Sequence, residues 1–249
     1  MTSPELRPDI PHAARIWNYW MGGTDNFPAD RAAGDAVVGV YPEIALMARF
    51  SRQFLTRVVR FLATDAGIRQ FLDVGTGLPT MQNTHEIAPG ARVVYVDHDP
   101  LVLEHARSLQ TSAEYVLADY HEPERILAAA LEKLDFTEPV AVMFMGVLGY
   151  EPSLAEVRRI VGTIFDATPP GSYLVLWDGT NTTPSVVEGA KKLAESGGAP
   201  YILRSPADLA TCFEGLELVE PGLTQITAWR PGGGDVEYID AYGAVARKP

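Results

Sequence analysis

Apolar positions near the start of the chain recur at helical spacing. Ala13, Ile16, Trp17, Trp20 and Met21 form one face, and Gly22-Gly23 can end that helix. A second, short helix follows Pro28. A third starts at Pro42 and carries Ile44, Met47, Phe50, Phe54, Val58 and Phe61 in one stripe. Arg49, Arg52, Arg57 and Arg60 lie off the stripe and read as solvated. Beyond residue 70 the pattern changes to short apolar runs at 71–74, 93–97, 115–119, 140–145 and 173–177, separated by helix-like stretches. Asp99 caps a helix opened by Pro100, Pro123 opens another, and Ser153 with Glu156 makes an S-x-x-E capping box. Residues 179–205 are polar and contain glycine, and read as a flap. Ser205-Pro206 opens a further helix, and strands are expected at 216–219, 224–229 and 241–246, the last two as an antiparallel pair. The alternation predicts an α/β fold: a doubly wound, mainly parallel sheet with an antiparallel C-terminal hairpin and a helical N-terminal cap. One domain is expected, with the cap over 1–65 and the core over 66–249.

The chemistry concentrates where the first two runs end. Asp73-Val74-Gly75-Thr76-Gly77 is a glycine turn after an apolar run, and Asp97 ends the next run twenty residues past Gly77. Glycines let a loop backbone approach a ligand, and a strand-end carboxylate accepts hydrogen bonds from ribose hydroxyls. A dinucleotide fingerprint needs a third glycine, and here that place falls on Pro79 or Thr80. Pro79 can open a helix, yet it removes an N–H that would face a pyrophosphate. The loop therefore points to S-adenosylmethionine (SAM) rather than NAD. Asp119, with Tyr120 beside it, stands where an acid can meet an adenine amino group, and Gly146 breaks the long central run where the sheet would open. Asp73 either reaches the methionine amino group or braces the loop. His98 either flanks the adenine or is a solvated loop residue, and Asp99 reads as a helix cap.

The D-V-G-T-G loop, V-D-H-D-P at 96–100 and A-D at 118–119 resemble motifs of class I SAM-dependent methyltransferases. W-N-Y-W-M-G-G-T-D-N-F at 17–27, F-L-D-V-G-T-G-L-P-T at 71–80 and the closing Y-G-A-V-A-R-K-P resemble, more narrowly, the actinobacterial S-adenosyl methyltransferase family, formerly a domain of unknown function. The resemblance runs from about Ile10 onward. It implies a seven-stranded Rossmann-like methyltransferase sheet and SAM as cofactor, with no particular substrate. It also implies that Tyr19, Gly23 and Asn26 close over SAM, against a reading of that loop as a helix C-cap and Asx turn. Relatives often carry Lys at Thr24 and Tyr at Trp17, so this chain departs from the family pattern at those two positions. A histidine expected near Gly149-Tyr150 is absent, so no general base is evident. Gly149 would leave a wider floor, with Tyr150, Trp177, Trp20, Trp229 and Tyr201 as aromatic walls or as core.

Composition narrows the partners. A net charge of −12, without a dense Lys/Arg run, opposes nucleic acid. Cys212 is the sole cysteine, which excludes an intrachain disulfide and a cysteine-rich metal site, and no metal is expected. The N-terminal residues lack the apolar core of a signal peptide, and no apolar run is long enough to span a membrane, so a cytoplasmic protein is expected. There is no N/D-P-P-Y after the fourth strand and no catechol-type carboxylate cluster. The reading is O- or N-methylation of a small molecule, in secondary metabolism by family analogy, with His121 or Asp178 as modest proton partners. Rival readings are a SAM-binding sensor without turnover and a nicotinamide-dependent reductase. Oligomeric state is not fixed by the sequence.

Overall fold

The computed structural model describes residues 7–78, 82–108, 113–233 and 236–249. Helices α1 (Ala13–Trp20), α2 (Pro28–Val38) and α3 (Ile44–Thr64) precede the first strand. Then come β1 (Gln70–Val74), α4 (Thr84–Ile87), β2 (Arg92–Asp97), α5 (Pro100–Ser108), β3 (Glu114–Leu117), α6 (Pro123–Leu131) and β4 (Ala141–Met145). The chain continues through α7 (Leu154–Phe165), β5 (Tyr173–Gly179), α8 (Pro184–Glu195) and α9 (Pro206–Ala210) to β6 (Glu217–Leu218), β7 (Thr224–Gln225) and β8 (Ala241–Arg247).

The sheet runs β3-β2-β1-β4-β5-β8-β6, with β7 also paired to β8. β1 to β5 are mutually parallel, and β8 is antiparallel to β5, β6 and β7. Winding goes outward from β1 through β2 to β3, then resumes at β4 on the other side of β1. A crevice opens at such a reversal, beyond the carboxyl ends of the strands. Gly75 and Gly146 follow β1 and β4 at that point, both with positive φ (73° and 82°).

Both sheet faces are covered, as a parallel sheet requires. Phe71, Val93, Met143 and Val175 face a layer built by α1, α2 and α3, while Leu72, Val94, Val142 and Leu174 face α6, α7 and α9. The α3 stripe packs as predicted, with Phe54 and Val58 fully buried. Its arginines do not all face water. Arg49 and Arg60 are exposed, but Arg57 donates to the carbonyls of Trp229 (2.9 Å) and Ile226 (2.5 Å), and Arg52 turns inward toward Asp73.

Three local expectations change. Residues 179–205 hold α8 rather than a flap: the Thr183 hydroxyl accepts the Val186 N–H (3.4 Å), and Val186, Gly189 and Leu193 are buried. Glycine at 189 lets the helix pack against Tyr41, whose Cβ would lie 3.0 Å from any Cβ there. The strand expected at 224–229 ends at Gln225, and Trp229 is core against Phe54 and Phe61. At α7 only half of the capping box forms: Ser153 accepts the Glu156 N–H, but the Ser153 N–H goes to Glu151 (2.6 Å). Pro79 and Thr80 lie outside the described residues.

Candidate active site

A cavity opens at the crevice between β1 and β4 and extends under the cap. Asp73, Gly75, Thr76, Gly77, Asp97 and His98 line it from β1 and β2. Asp119, Tyr120 and Gly146 line it from the ends of β3 and β4. The sequence thus placed one continuous floor.

Its geometry is set by backbone hydrogen bonds. The Gly75 and Thr76 N–H groups donate to the Val96 carbonyl (2.8 and 3.2 Å), tying the glycine turn to β2. Asp97 accepts the N–H of Gly77 through one oxygen (2.8 Å) and that of Asp99 through the other (3.0 Å). Burial raises the Asp97 carboxyl above the usual range, against the pull of those bonds. The glycines serve differently. A Cβ on Gly75 would collide with Val147 at 2.3 Å, whereas Gly77, at φ 68°, has open space in front of it.

Asp73 is 4% exposed, and burial pushes its carboxyl up to about 7 against the nearby Arg52 charge. Thr84 donates to its Oδ2 (3.4 Å), while Oδ1 has no hydrogen-bond partner among the described residues. An unpartnered buried acceptor costs free energy unless a donor arrives. That atom fits the ammonium group of an amino-acid moiety.

On the β3 side, His121 lies between carboxylates, with Nδ1 2.7 Å from Asp119 and Nε2 3.1 Å from Glu151. Burial pushes Asp119 up, but its bonds from the His121 backbone and ring outweigh this and hold it below the usual range. Asp99 caps α5 through the Leu101 N–H (2.9 Å), and its second oxygen meets His12 Nε2 (3.2 Å), joining cap to core.

The cap residues named from the sequence lie elsewhere. Tyr19 gives its hydroxyl proton to Asp35 (2.6 Å). Asn26 donates to Asn18 (3.0 Å) and Gly23 (2.9 Å), and a Cβ on Gly23 would strike the Asn18 side chain at 2.4 Å. These residues brace the loop and do not line the cavity. The cap contributes His12, Trp17, Trp20, Met47 and Arg52 instead. Tyr150, Trp177, Trp20 and Tyr201 do form aromatic wall, whereas Trp229 is core.

The wider floor expected at Gly149 is filled. The Tyr201 ring lies over it, and the Tyr201 hydroxyl donates to Asp178 while accepting from the Gly179 N–H (3.4 Å). Burial pushes Asp178 up to about 7. Arg204, buried beside it, donates to the carbonyls of Leu148 (3.0 Å) and Glu151. Neither the Tyr201 contact nor Arg204 had a local signal, since both come from the segment after α8.

A glycine turn at the winding reversal, with an acid ending the adjacent strand, defines a Rossmann-like protein that holds a nucleoside cofactor. The chain belongs to the S-adenosyl methyltransferase family, whose profile matches residues 1–249. It is a SAM-dependent methyltransferase.

It is similar to the crystal structure of a DUF574 family protein from Streptomyces avermitilis, at 41% identity and TM-score 0.91, covering 98% of this chain and 100% of the other. A Thermobifida fusca protein proposed to be a methyltransferase aligns at 39% identity and TM-score 0.89, covering 96% and 95%. The N-methyltransferase NodS of Bradyrhizobium japonicum, in complex with S-adenosyl-L-homocysteine, shares the fold at 18% identity and TM-score 0.51, covering 80% of this chain and 88% of that one. No curated protein matches the sequence.

Proposed function

We propose that this methyltransferase acts on the oxygen or nitrogen of a small organic acceptor. The observation that carries the proposal is the cavity itself: it runs from the glycine turn to apolar walls formed by Trp17, Trp177 and Leu193. Such lining suits a small molecule oriented by few polar groups. The net charge of −12 opposes a nucleic-acid acceptor, and no helix among the described residues is long and apolar enough to cross a membrane.

When bound, SAM supplies an electrophilic methyl group on a sulfonium. In this reading Asp73 holds the methionine ammonium through its unpartnered oxygen. Asp97 keeps the Gly77 N–H in place and uses its remaining lone pairs for ribose hydroxyls. Asp119, its position fixed by His121, and Tyr120 bound the adenine side. The cap excludes water, and in-line placement of the acceptor lowers the barrier. Secondary metabolism is the proposed setting, from the family resemblance.

The test is a screen of small phenols, acids and amines with labelled SAM, following S-adenosylhomocysteine release. Acceptor-dependent release supports the reading. Tight SAM binding with no release under any acceptor would favour a sensor.

A further inference from the structure

We propose that the cavity beneath the cap is the acceptor subsite for a neutral, planar phenol, and that Tyr201, backed by Asp178, takes its proton. This rests on the small-acceptor reading above.

The charges that reach the cavity gather at one end. Asp73, Asp97 and Asp119 end or follow β1, β2 and β3, and Arg52, His98 and His121 stand beside them. His12 pairs with Asp99 at the same end. Under the cap, Trp17, Trp20, Met47, Trp177, Val186 and Leu193 leave apolar wall. Polar groups there are already used: Tyr41 gives its proton to Asp240 (2.9 Å), and Ser51 to the Ala48 carbonyl (2.8 Å). An ammonium or carboxylate entering this end would lose its hydration shell and find a single hydroxyl, that of Tyr201, in exchange. A flat neutral ring gains by burial, and the Trp17 and Trp177 rings, 6.0 Å apart and tilted by 31°, offer aromatic contact.

One polar point remains. The Tyr201 oxygen lies 3.2 Å from the Gly146 carbonyl, at the place where the sheet opens. Its proton is directed to Asp178 and one lone pair takes the Gly179 N–H (3.4 Å), so the second lone pair is left to accept from an incoming hydroxyl. Asp178 is 1% exposed and accepts the Gly149 N–H (3.2 Å). The titratable groups around it are Tyr201, Arg204, Tyr150, Tyr120 and Cys212. With its carboxyl near 7, Asp178 is matched to proton uptake at neutral pH.

The step balances. The phenol O–H bond breaks as its proton passes to the Tyr201 oxygen, and the Tyr201 proton passes to the Asp178 carboxylate. The phenol oxygen bonds the methyl carbon as the carbon–sulfonium bond breaks. The products are an aryl methyl ether, a neutral thioether and a protonated Asp178, which then loses its proton to solvent. Tyr201 is the catalytic residue, and Asp178 acts through it.

The experiment compares 2-naphthol with naphthalene as ligands of the S-adenosylhomocysteine complex. Wild type should prefer 2-naphthol, and Tyr201→Phe should cut that preference about tenfold, one hydrogen bond's worth. In single turnover with 2-naphthol at SAM concentrations that saturate the cofactor site throughout the pH range, Asp178→Asn should lose the acid limb near pH 7. Failure of wild type to bind either aromatic, an undiminished preference in Tyr201→Phe, or an unchanged pH profile in Asp178→Asn overturns the proposal. A melting shift with S-adenosylhomocysteine in each variant shows an intact cofactor site, so the proposal can fail while the methyltransferase stands. Transfer to other small acceptors would then keep the small-acceptor reading.

Discussion

Tyr201 occupies the space that any side chain at Gly149 would need: a Cβ there would lie 2.1 Å from the Tyr201 ring. The glycine is therefore a packing requirement. It admits the ring, and the ring carries a hydroxyl to Asp178.

Gly149→Ala should force that ring aside. Overpacking of this kind costs about 1–3 kcal/mol. Urea denaturation should show that loss, turnover should fall sharply, and S-adenosylhomocysteine should still bind. Unchanged stability would mean that Tyr201 has another place to go.

Asp97→Ala removes an acceptor that holds both Gly77 and Asp99. SAM affinity should fall by about 1–3 kcal/mol, the range for hydrogen bonds to a charged group. Calorimetric titration checks this. An affinity equal to wild type would move the ribose contact to another residue.

Asp73 gives a pH signature. Burial raises its folded-state carboxyl to about 7, above the unfolded value. The folded state thus keeps a proton that the unfolded chain has lost. Its contribution is full below about 4, the unfolded value, and falls away as pH rises through about 7. The cofactor behaves oppositely. Its ammonium wants the carboxylate, so affinity should climb through pH 7 and decline only at higher pH, once that ammonium deprotonates. Titrations of S-adenosylhomocysteine across this range should give a bell in wild type, with the acid limb missing in Asp73→Asn.

Tyr19→Phe should leave SAM affinity within about 0.5 kcal/mol, because its hydroxyl is spent on Asp35 at the surface. Trp17→Ala, which removes cavity wall, should raise the acceptor KM instead. A large loss of SAM affinity in Tyr19→Phe would restore the loop as a contact.

The floor of the site was legible because its residues are local to strand ends. A run ending in a glycine turn, and a run ending in Asp97, need only the parallel pairing of β1 with β2 to meet. The cap was legible as helices but not as contacts. Tyr19, Gly23 and Asn26 find Asp35 and Asn18, and nothing in the intervening spacing announces those partners. Arg52 read as solvated because charge off an apolar stripe usually is, and the fold sets it near Asp73. The segment before Arg204 read as a flap because small residues suggest loops. In α8 they allow close packing on Tyr41, a tertiary gain that propensity does not record.

β8 follows every other strand in the sequence, yet it lies between β5 and β6. Asp240, just before it, takes hydrogen bonds from Tyr41, Thr182 and Thr183, and so ties the end of the cap to the start of α8. On the ribosome, a chain that has emerged only through residue 233 can pair β1, β4 and β5 and so set the glycine turn near Trp177, but it lacks the strand that flanks β5 and the Asp240 carboxylate. Tyr41 and the start of α8 gain their shared anchor only when this late strand slots in beside β5, so the cap and β8 become part of one folding event.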